Sequence, residues 1–369
     1  MNKKVRFAQF LLGIVFLFSG FVKAVDPLGT KYKLIDYFNV LHIDFLNNLA
    51  GISALLLIGI ELLVGIMFIF NVLPKIGLWL ASLMMIIFTP LTLFLAIKNP
   101  ILDCGCFGDA IHLTNWQTFW KNITFDLILI YLWINYKKLI STLPKQWLIL
   151  GLSVVIVFLF QLLNILFLPI IDFRPYKLGV NLKEELSKSQ NNVEYKSVLI
   201  YKNTKTGEIK AFEENNIPWD DTTWIWQETK TEVIKKEDDN GIHDFYLYNY
   251  EGIDITDSLL NISEPLLLII SYNLTEANKK GLEKTFAFAQ EFTKKFFPVA
   301  YIITGSTEKE IKQMENSLPC YCLEVLNADE TMLKTMIRSN PGIIILKNGK
   351  IIGKHSFRYN LNKILNKIE

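Results

Sequence analysis

The chain has few cysteines and little net charge for its size. Its 369 residues include only four cysteines, and 38 Lys and Arg nearly balance 36 Asp and Glu, for a formal net charge of +2. There is no basic stripe with interleaved aromatic residues, so no nucleic-acid partner is expected. Zinc-ligand spacing is absent from the cysteines and from the four histidines, His42, His112, His243 and His355. No structural metal is predicted.

The cysteines occur as two Cys-x-Cys pairs, Cys104/Cys106 and Cys320/Cys322. The first pair lies in Asp103-Cys104-Gly105-Cys106-Phe107-Gly108, a short polar break between two long apolar stretches. Gly105 has no side chain to obstruct a fold-back, so the two sulfurs can close a small ring. A redox pair at the mouth of a membrane bundle and a merely structural tight loop both fit this pattern. Cysteines that occur only in pairs are typical of an oxidising compartment.

The second pair precedes the apolar segment 323–326, so Cys320 and Cys322 are expected on the same face of a strand. Such positions are usually too far apart for a disulfide unless Pro319 or a bulge bends the chain. Three interpretations stay open: structural thiols, a dithiol that exchanges with the first pair, and a local disulfide. Cys320 and Cys322 are therefore secondary redox candidates.

Apolar windows of roughly 20 residues, the length that crosses a hydrocarbon core, predict five transmembrane helices. They lie near residues 6–25, 49–72, 75–97, 117–136 and 146–170. A cleaved signal peptide is the alternative for the first, since Lys3, Lys4 and Arg6 precede its apolar core and Val22-Lys23-Ala24 resembles a cleavage site. The Lys and Arg distribution places the N-terminus in the cytoplasm. After five crossings of the inner (cytoplasmic) membrane, the C-terminal half would be periplasmic or otherwise extracytoplasmic.

Three ionisable residues fall within or beside these spans. Glu61 lies near the middle of the second span and Asp126 near the middle of the fourth, where a charge costs about 2.5–3.5 kcal/mol on insertion scales. Protonation, a partner or a water-filled cavity would offset this cost, and each lets a carboxyl group handle protons. Plain hydrogen bonding between helices is the alternative. Lys23 at the outer end of the first span is a third candidate, for which snorkelling to the interface is the simpler explanation.

Three segments resemble the DoxX/MauE group of four-helix membrane proteins: Phe18-Ser19-Gly20-Phe21-Val22-Lys23-Ala24-Val25-Asp26-Pro27, Glu61-Leu62-Leu63-Val64-Gly65 and the Cys-Gly-Cys segment. The resemblance covers about residues 1–138. It implies thiol or quinone redox chemistry with Cys104 and Cys106 as the redox pair. For the MauE branch it also implies maturation of the disulfide-rich subunit of methylamine dehydrogenase. The fifth span and the long exterior tail depart from that pattern, and nothing else points to methylamine.

The exterior half divides into a strand-rich linker at 173–241 and an α/β pattern at 242–369. In the linker, Trp219, Trp224 and Trp226 either complete a small core or grip a partner. In the second region, the segments 242–252 and 339–350 resemble the opening hairpin and the strand pair after the cis-proline in TlpA-like and peroxiredoxin-like thioredoxin folds. Pro341 is therefore the candidate cis-proline and client-binding residue.

This region lacks the Cys-x-x-Cys motif of the thioredoxin fold. The corresponding segment is Ser271-Tyr272-Asn273-Leu274-Thr275-Glu276-Ala277-Asn278, which contains no thiol. A helix dipole that would activate a catalytic cysteine has no sulfur to act upon there. The domain is therefore not expected to work as an ordinary thioredoxin.

The sequence predicts an α-helical membrane bundle followed by a soluble α/β thioredoxin-like domain. Its parts are four DoxX/MauE-like helices at 1–138, a fifth helix at 139–172, the linker at 173–241 and the thioredoxin-like domain at 242–369. The molecule as a whole is expected to lie in a lipid bilayer.

The predicted function is that of a membrane-anchored accessory of extracytoplasmic thiol-disulfide chemistry. Cys104 and Cys106 would exchange with protein thiols, and Glu61, Asp126 or Lys23 would handle protons in a quinone-sized cleft. A quinone is the one cofactor considered, and the need for it stays open. The alternative is a non-catalytic scaffold or assembly factor whose degenerate thioredoxin-like domain binds a partner protein. A small-molecule carrier is a third option, against which the lack of an evident inverted repeat argues.

Overall fold

The computed structural model describes residues 3–365, except for 102, 142, 192, 214–220, 222, 237–241, 243, 244, 250, 297–299 and 318–322. The chain forms two compact units. Unit 1 comprises Met1–Arg174, Ile337–Gly342 and His355–Leu361, whereas unit 2 comprises Pro175–Met336, Ile343–Lys354 and Asn362–Glu369.

Unit 1 is built mainly from helices. They are α1 (Lys3–Val25), α2 (Pro27–Val40), α3 (Ala50–Phe70), α4 (Pro74–Lys98), α5 (Asn115–Ile134) and α6 (Gln146–Leu166). Within the described part of the chain, four stretches are long and apolar enough to cross a membrane: Lys3–Val25, Asp44–Phe70, Pro74–Lys98 and Gln146–Leu166. Helix α5 occupies the predicted fourth span, but its first half is more polar and includes Gln117, Lys121 and Asn122. The number of crossings and their orientation stay predictions.

Glycines let α1 and α3 approach each other closely. A Cβ on Gly65 would lie 2.6 Å from the backbone nitrogen of Leu17, and a Cβ on Gly20 would lie 2.9 Å from that of Leu62. Small residues of this kind permit tight helix contact in membranes. This approach sets which faces of the two helices meet, and so which of their polar side chains can pair.

Helix α2 follows α1 after a single residue and was not predicted. Pro27 occupies its first turn, where a missing N–H has no consequence. The side chain of Asp26 caps this end by accepting a hydrogen bond from the backbone N–H of Gly29 at 3.1 Å.

Unit 2 begins with α7 (Leu182–Asn191) and a three-stranded antiparallel sheet. Its strands are β1 (Val193–Asn203), β2 (Ile209–Glu213) and β3 (Trp224–Lys236), in the order β2-β1-β3. This sheet lies where the sequence predicts a strand-rich linker. Of the three tryptophans considered there, Trp224 and Trp226 belong to β3, whereas Trp219 lies outside the described residues.

A five-stranded sheet follows, with the order β6-β5-β4-β7-β8. Its strands are β4 (Leu266–Ile270), β5 (Ala300–Thr304), β6 (Leu323–Asn327), β7 (Gly342–Lys347) and β8 (Lys350–Ser356). Strands β4, β5 and β6 run parallel. The intervening helices are α8 (Thr256–Leu260), α9 (Lys279–Phe296), α10 (Glu308–Ser317) and α11 (Glu330–Met336), and α12 (Asn362–Leu365) comes last. All five residues of β4 are buried, as expected for a central parallel strand.

The predicted fold class, a helical membrane bundle followed by an α/β domain, is confirmed. The peptide bond between Asn340 and Pro341 is cis and immediately precedes β7, where the sequence places the candidate cis-proline.

Candidate functional site

The first cysteine pair forms a disulfide in the loop between α4 and α5. The Cα atoms of Cys104 and Cys106 lie 5.5 Å apart. Gly105 between them has a φ of +62°, in the left-handed region that favours glycine. A Cβ there would also lie 3.0 Å from the Cγ atom of Lys33. Backbone conformation and available space therefore both favour glycine, and the pairing alone fits a structural loop as well as a redox site.

Two hydroxyl groups hold the carbonyl groups of the cysteines. The Tyr37 hydroxyl donates to the carbonyl oxygen of Cys104, and Ser19 Oγ donates to that of Cys106 at 2.6 Å. Burial raises the pKa of Tyr37, and the negative charge of Asp103 adds to this effect. The phenol therefore stays protonated and remains a donor. Since Ser19 lies on α1 and Tyr37 on α2, two helices fix the position of the loop.

Asp103 organises the start of the same loop. Its carboxylate accepts a hydrogen bond from the backbone N–H of Gly105. It also lies 3.3 Å from His112 Nδ1 and 3.7 Å from Lys33 Nζ. The positive charge of Lys33 therefore has a carboxylate partner beside the disulfide.

Lys23 and Glu61 form a buried ion pair close to this loop. Lys23 Nζ donates to Glu61 Oε1 at 3.0 Å and to Oε2 at 2.8 Å, and the two residues are only 8% and 5% exposed. Lys23 Nζ also donates to Ser19 Oγ at 3.2 Å. Hydrogen bonds therefore run from the Glu61 carboxylate through Lys23 and Ser19 to Cys106. Two candidate residues are thus brought together, and this pairing explains Lys23 without snorkelling.

The disulfide and the ion pair line one cavity. Its empty volume, which includes space open to solvent, is about 800 Å³. Both cysteines, Lys23 and Glu61 line it, together with apolar side chains that include Phe16, Phe88 and Phe125. Most of the wall is apolar, and the charged groups line the same cavity as the cysteines. The lining, mostly apolar with a few charged groups, is of the type that small-molecule sites have.

Asp126, the other predicted proton-handling residue, does not line this cavity. Its Oδ2 atom accepts a hydrogen bond from Thr89 Oγ1 at 2.8 Å. The structure therefore gives Asp126 a partner on α4 and matches the alternative of hydrogen bonding between helices.

Lys121 also lines the cavity, although the sequence analysis counted it only within the overall distribution of Lys and Arg. Its Nζ atom lies 4.7 Å from the centre of the Phe107 ring and 5.7 Å from that of Phe125, within the range of cation–π contacts. A lysine within an apolar span is the signal that could have marked it.

A second ionic cluster lies at the start of α2. The two carboxylate oxygens of Asp26 accept hydrogen bonds from Arg338 Nε at 3.1 and 2.9 Å, and Arg338 Nη2 lies 2.9 Å from Oδ2. The Arg338 guanidinium also lies 5.2 Å from the centre of the Tyr32 ring. Arg338 is 7% exposed and belongs to the Ile337–Gly342 segment of unit 1. Nothing in the sequence pointed to this pair.

Burial and nearby charges act differently on the pKa values of Asp26 and Asp109. Burial alone would raise the pKa of Asp26, but the charges of Arg338 and Arg174 and the Gly29 hydrogen bond lower it below its ordinary value. Asp109 responds differently: burial, followed by the negative charge of Asp26, raises its pKa. Asp26 is therefore held as a carboxylate, whereas Asp109 takes up a proton more readily than an exposed aspartate.

The segment that lacks the Cys-x-x-Cys motif lies between β4 and α9. Its residues make local hydrogen bonds: Leu274 N donates to Ser306 Oγ at 2.9 Å, and Asn278 Oδ1 accepts from Gly281 N at 2.8 Å. Cys320 and Cys322 lie outside the described residues, so their three interpretations stay open. Within the described part of the chain, no group of three or more His, Cys, Asp or Glu side chains could hold a metal ion.

The helical unit of this membrane protein matches a known family. Residues 1–135 match the model of the family described as methylamine utilisation protein MauE, so this part of the chain is a MauE-family domain. Residues 195–236 match a domain of unknown function, DUF8463. No curated protein matches the chain.

The C-terminal part has thioredoxin-like structural neighbours. Reduced Prx3 from Vibrio vulnificus is 12% identical, with 35% of this chain and 96% of that chain covered and a TM-score of 0.29. The exposed lipoprotein thioredoxin Etrx1 from Streptococcus pneumoniae is 20% identical, with 34% of this chain and 97% of that chain covered and a TM-score of 0.27. The thioredoxin domain of a thiol-disulfide oxidoreductase from Bacteroides vulgatus is 14% identical, with 34% of this chain and 93% of that chain covered and a TM-score of 0.28. The match at residues 1–135 agrees with the predicted MauE-like membrane region, and the neighbours of the C-terminal part are thioredoxin-like proteins.

Proposed function

We propose that this protein is a membrane-anchored accessory of thiol-disulfide redox chemistry that acts on protein thiols outside the cytoplasm. Cys104 and Cys106 are the exchanging pair. The observation that carries the proposal is the position of their disulfide in the wall of a cavity shared with the buried Lys23–Glu61 pair. The MauE-family match at residues 1–135 supports a redox-related role at the membrane.

The exchange needs only two thiols from a client protein. A client thiolate attacks one sulfur of the pair, a new S–S bond forms to the client, and the bond between Cys104 and Cys106 breaks with its electron pair on the second sulfur. A second client thiolate then attacks the client sulfur of this mixed disulfide, which forms the client disulfide and releases the other cysteine of the pair as a thiolate. The client is oxidised by two electrons, and the cysteine pair is reduced by two. The reverse direction balances in the same way.

A quinone is the electron acceptor that we propose for the reduced pair. Phe16, Phe88 and Phe125 offer an apolar wall to its ring. When bound, such a group would take up two electrons and two protons. Lys23 and Glu61 would keep a transferable proton beside it, since their shared hydrogen bonds hold that proton at Lys23 Nζ.

Trapping tests the redox proposal. The Cys106→Ser and Cys104→Ser variants each retain a single sulfur in the loop, so we expect at least one to accumulate mixed disulfides with client proteins. Cells are acid-quenched and alkylated, and the complexes are resolved by non-reducing electrophoresis and mass spectrometry. The variant lacking both cysteines is the control and should show no such complexes.

A non-catalytic scaffold is the second candidate. It is favoured by the segment between β4 and α9, which has no cysteine where a thioredoxin carries its motif. In that case, replacing both Cys104 and Cys106 leaves the cellular phenotype unchanged and neither single variant captures a client. Pro341 at the cis bond would then be the residue to test for partner binding.

A further inference from the structure

The cavity has one more positive charge than its neighbouring carboxylates balance. Its charged wall groups are Lys23, Lys33, Lys121 and Glu61. Glu61 pairs with Lys23, and Lys33 lies 3.7 Å from Asp103. Among the described residues, no carboxylate lies within ion-pair distance of Lys121 Nζ, which lies over the rings of Phe107 and Phe125. An unbalanced cation in a mostly apolar wall favours a negative charge that appears during the reaction.

We infer that Lys121 stabilises the thiolate that is released when the Cys104–Cys106 disulfide opens. Phe107 directly follows Cys106 in the chain and holds the Lys121 ammonium 4.7 Å from the centre of its ring. The cation is therefore tethered to the residue next to a reacting sulfur. This inference rests on the proposed function and assigns Lys121 the role of a positioned charge in it.

The charge appears at one step of the exchange. When the client thiolate forms its bond to one sulfur, the electron pair of the broken S–S bond stays on the other sulfur as a thiolate. That sulfur lines the same cavity as Lys121. A nearby cation stabilises a thiolate relative to the thiol and makes it the better leaving group. Lys121 then favours opening of the disulfide without itself forming a bond.

Alkylation of the reduced pair as a function of pH measures this stabilisation without a client. The full-length protein in micelles is reduced, freed of reductant and treated with iodoacetamide, and alkylation of Cys104 and Cys106 is followed by peptide mass spectrometry. We expect Lys121→Gln to shift the midpoint of the rate profile upward by about one pH unit, with a roughly tenfold slower rate below the midpoint. Lys121→Arg keeps the charge and should restore the wild-type profile.

The other ionisable groups around the pair stay unchanged in these variants. They are Lys23 on α1, Lys33 and Tyr37 on α2, Glu61 on α3, and Asp103 and His112 in the loop.

Lys75→Gln is the matched control. Lys75 Nζ lies 4.9 Å from the centre of the Tyr136 ring, so its loss removes a cation–π contact of the same kind, but Lys75 does not line the cavity. Its profile should match the wild type. A Lys121→Gln profile that also matches would overturn the inference.

Phe107→Leu serves as a second test in case Lys121→Gln does not fold. It removes the ring that positions Lys121 while keeping an apolar side chain, and we expect a smaller upward shift. An unchanged profile in a folded Phe107→Leu protein also rejects the role of Lys121. Client trapping by the single-cysteine variants can succeed in either case, so failure of this inference is distinguishable from failure of the redox proposal.

Discussion

The Lys23→Met variant is expected to lose about 3–5 kcal/mol of unfolding free energy, because it leaves the Glu61 carboxylate buried without its partner. Lys23 and Glu61 are among the least exposed charged residues of unit 1. In the double variant Lys23→Met/Glu61→Leu no charge remains, so most of the lost stability should return. Denaturant unfolding in detergent micelles measures both effects.

Lys98→Met provides the control for the loss of a lysine. Lys98 is exposed at the end of α4, so its replacement should change the unfolding free energy by less than about 0.5 kcal/mol. Equal losses in the single and double variants would contradict the ion-pair explanation. A stable double variant also tests what the ion pair does in the reaction. If it still captures clients but no longer passes electrons onward, the pair acts in proton transfer rather than in thiol exchange.

Arg338→Ala is expected to produce a loss of similar size, about 3–5 kcal/mol near neutral pH, because it strands the buried Asp26 carboxylate. The loss should also depend on pH. In the wild type the folded-state pKa of Asp26 lies below its ordinary value of 3.8. The charged carboxylate therefore adds stability that is fully present above the unfolded-state pKa and is lost as the pH falls through the folded-state pKa.

Without Arg338, only Arg174 and the Gly29 hydrogen bond lower the pKa of Asp26 against the effect of burial. Its pKa rises, and the acid-induced loss of stability begins at a higher pH than in the wild type. Unfolding free energies measured at a series of pH values would show this shift. Arg358→Ala is the control, since exposed Arg358 makes a hydrogen bond to the carbonyl oxygen of Leu166 at 3.1 Å. If the unfolding free energy of Arg338→Ala begins to fall at the same pH as that of the wild type, the assigned role of this ion pair is refuted.

The sequence identified the individual members of the site more readily than their partners. Cys104 and Cys106 stand out by their glycine spacing, and Glu61 by its place inside an apolar run. The pairing of Glu61 with Lys23, 38 residues away, depends on which faces of α1 and α3 meet. Helices this apolar have no polar face that would indicate which sides meet. The close approach at Gly20 and Gly65 determines which sides of α1 and α3 are in contact.

Other features were missed for different reasons. Helix α2 is short and of mixed polarity, so it carries no span signal, although Asp26 and Pro27 are ordinary signs of a helix start. The contact of Arg338 with Asp26 joins residues 312 positions apart, and no local pattern encodes it. Asp126 was expected to handle protons from its position in a span, but its Thr89 partner lies on a neighbouring helix.

The Ser19 hydroxyl has a single hydrogen, and that hydrogen is committed to the carbonyl oxygen of Cys106 while Lys23 donates to the same oxygen atom of Ser19. A lysine that has given up a proton carries a lone pair, which competes for this hydrogen. Rotation about one bond of a serine side chain is then enough to break the hydrogen bond between α1 and the carbonyl oxygen of Cys106. Loss of a proton from Lys23 and loss of the hydrogen bond to the Cys106 carbonyl oxygen are thereby coupled through one side-chain torsion angle of Ser19.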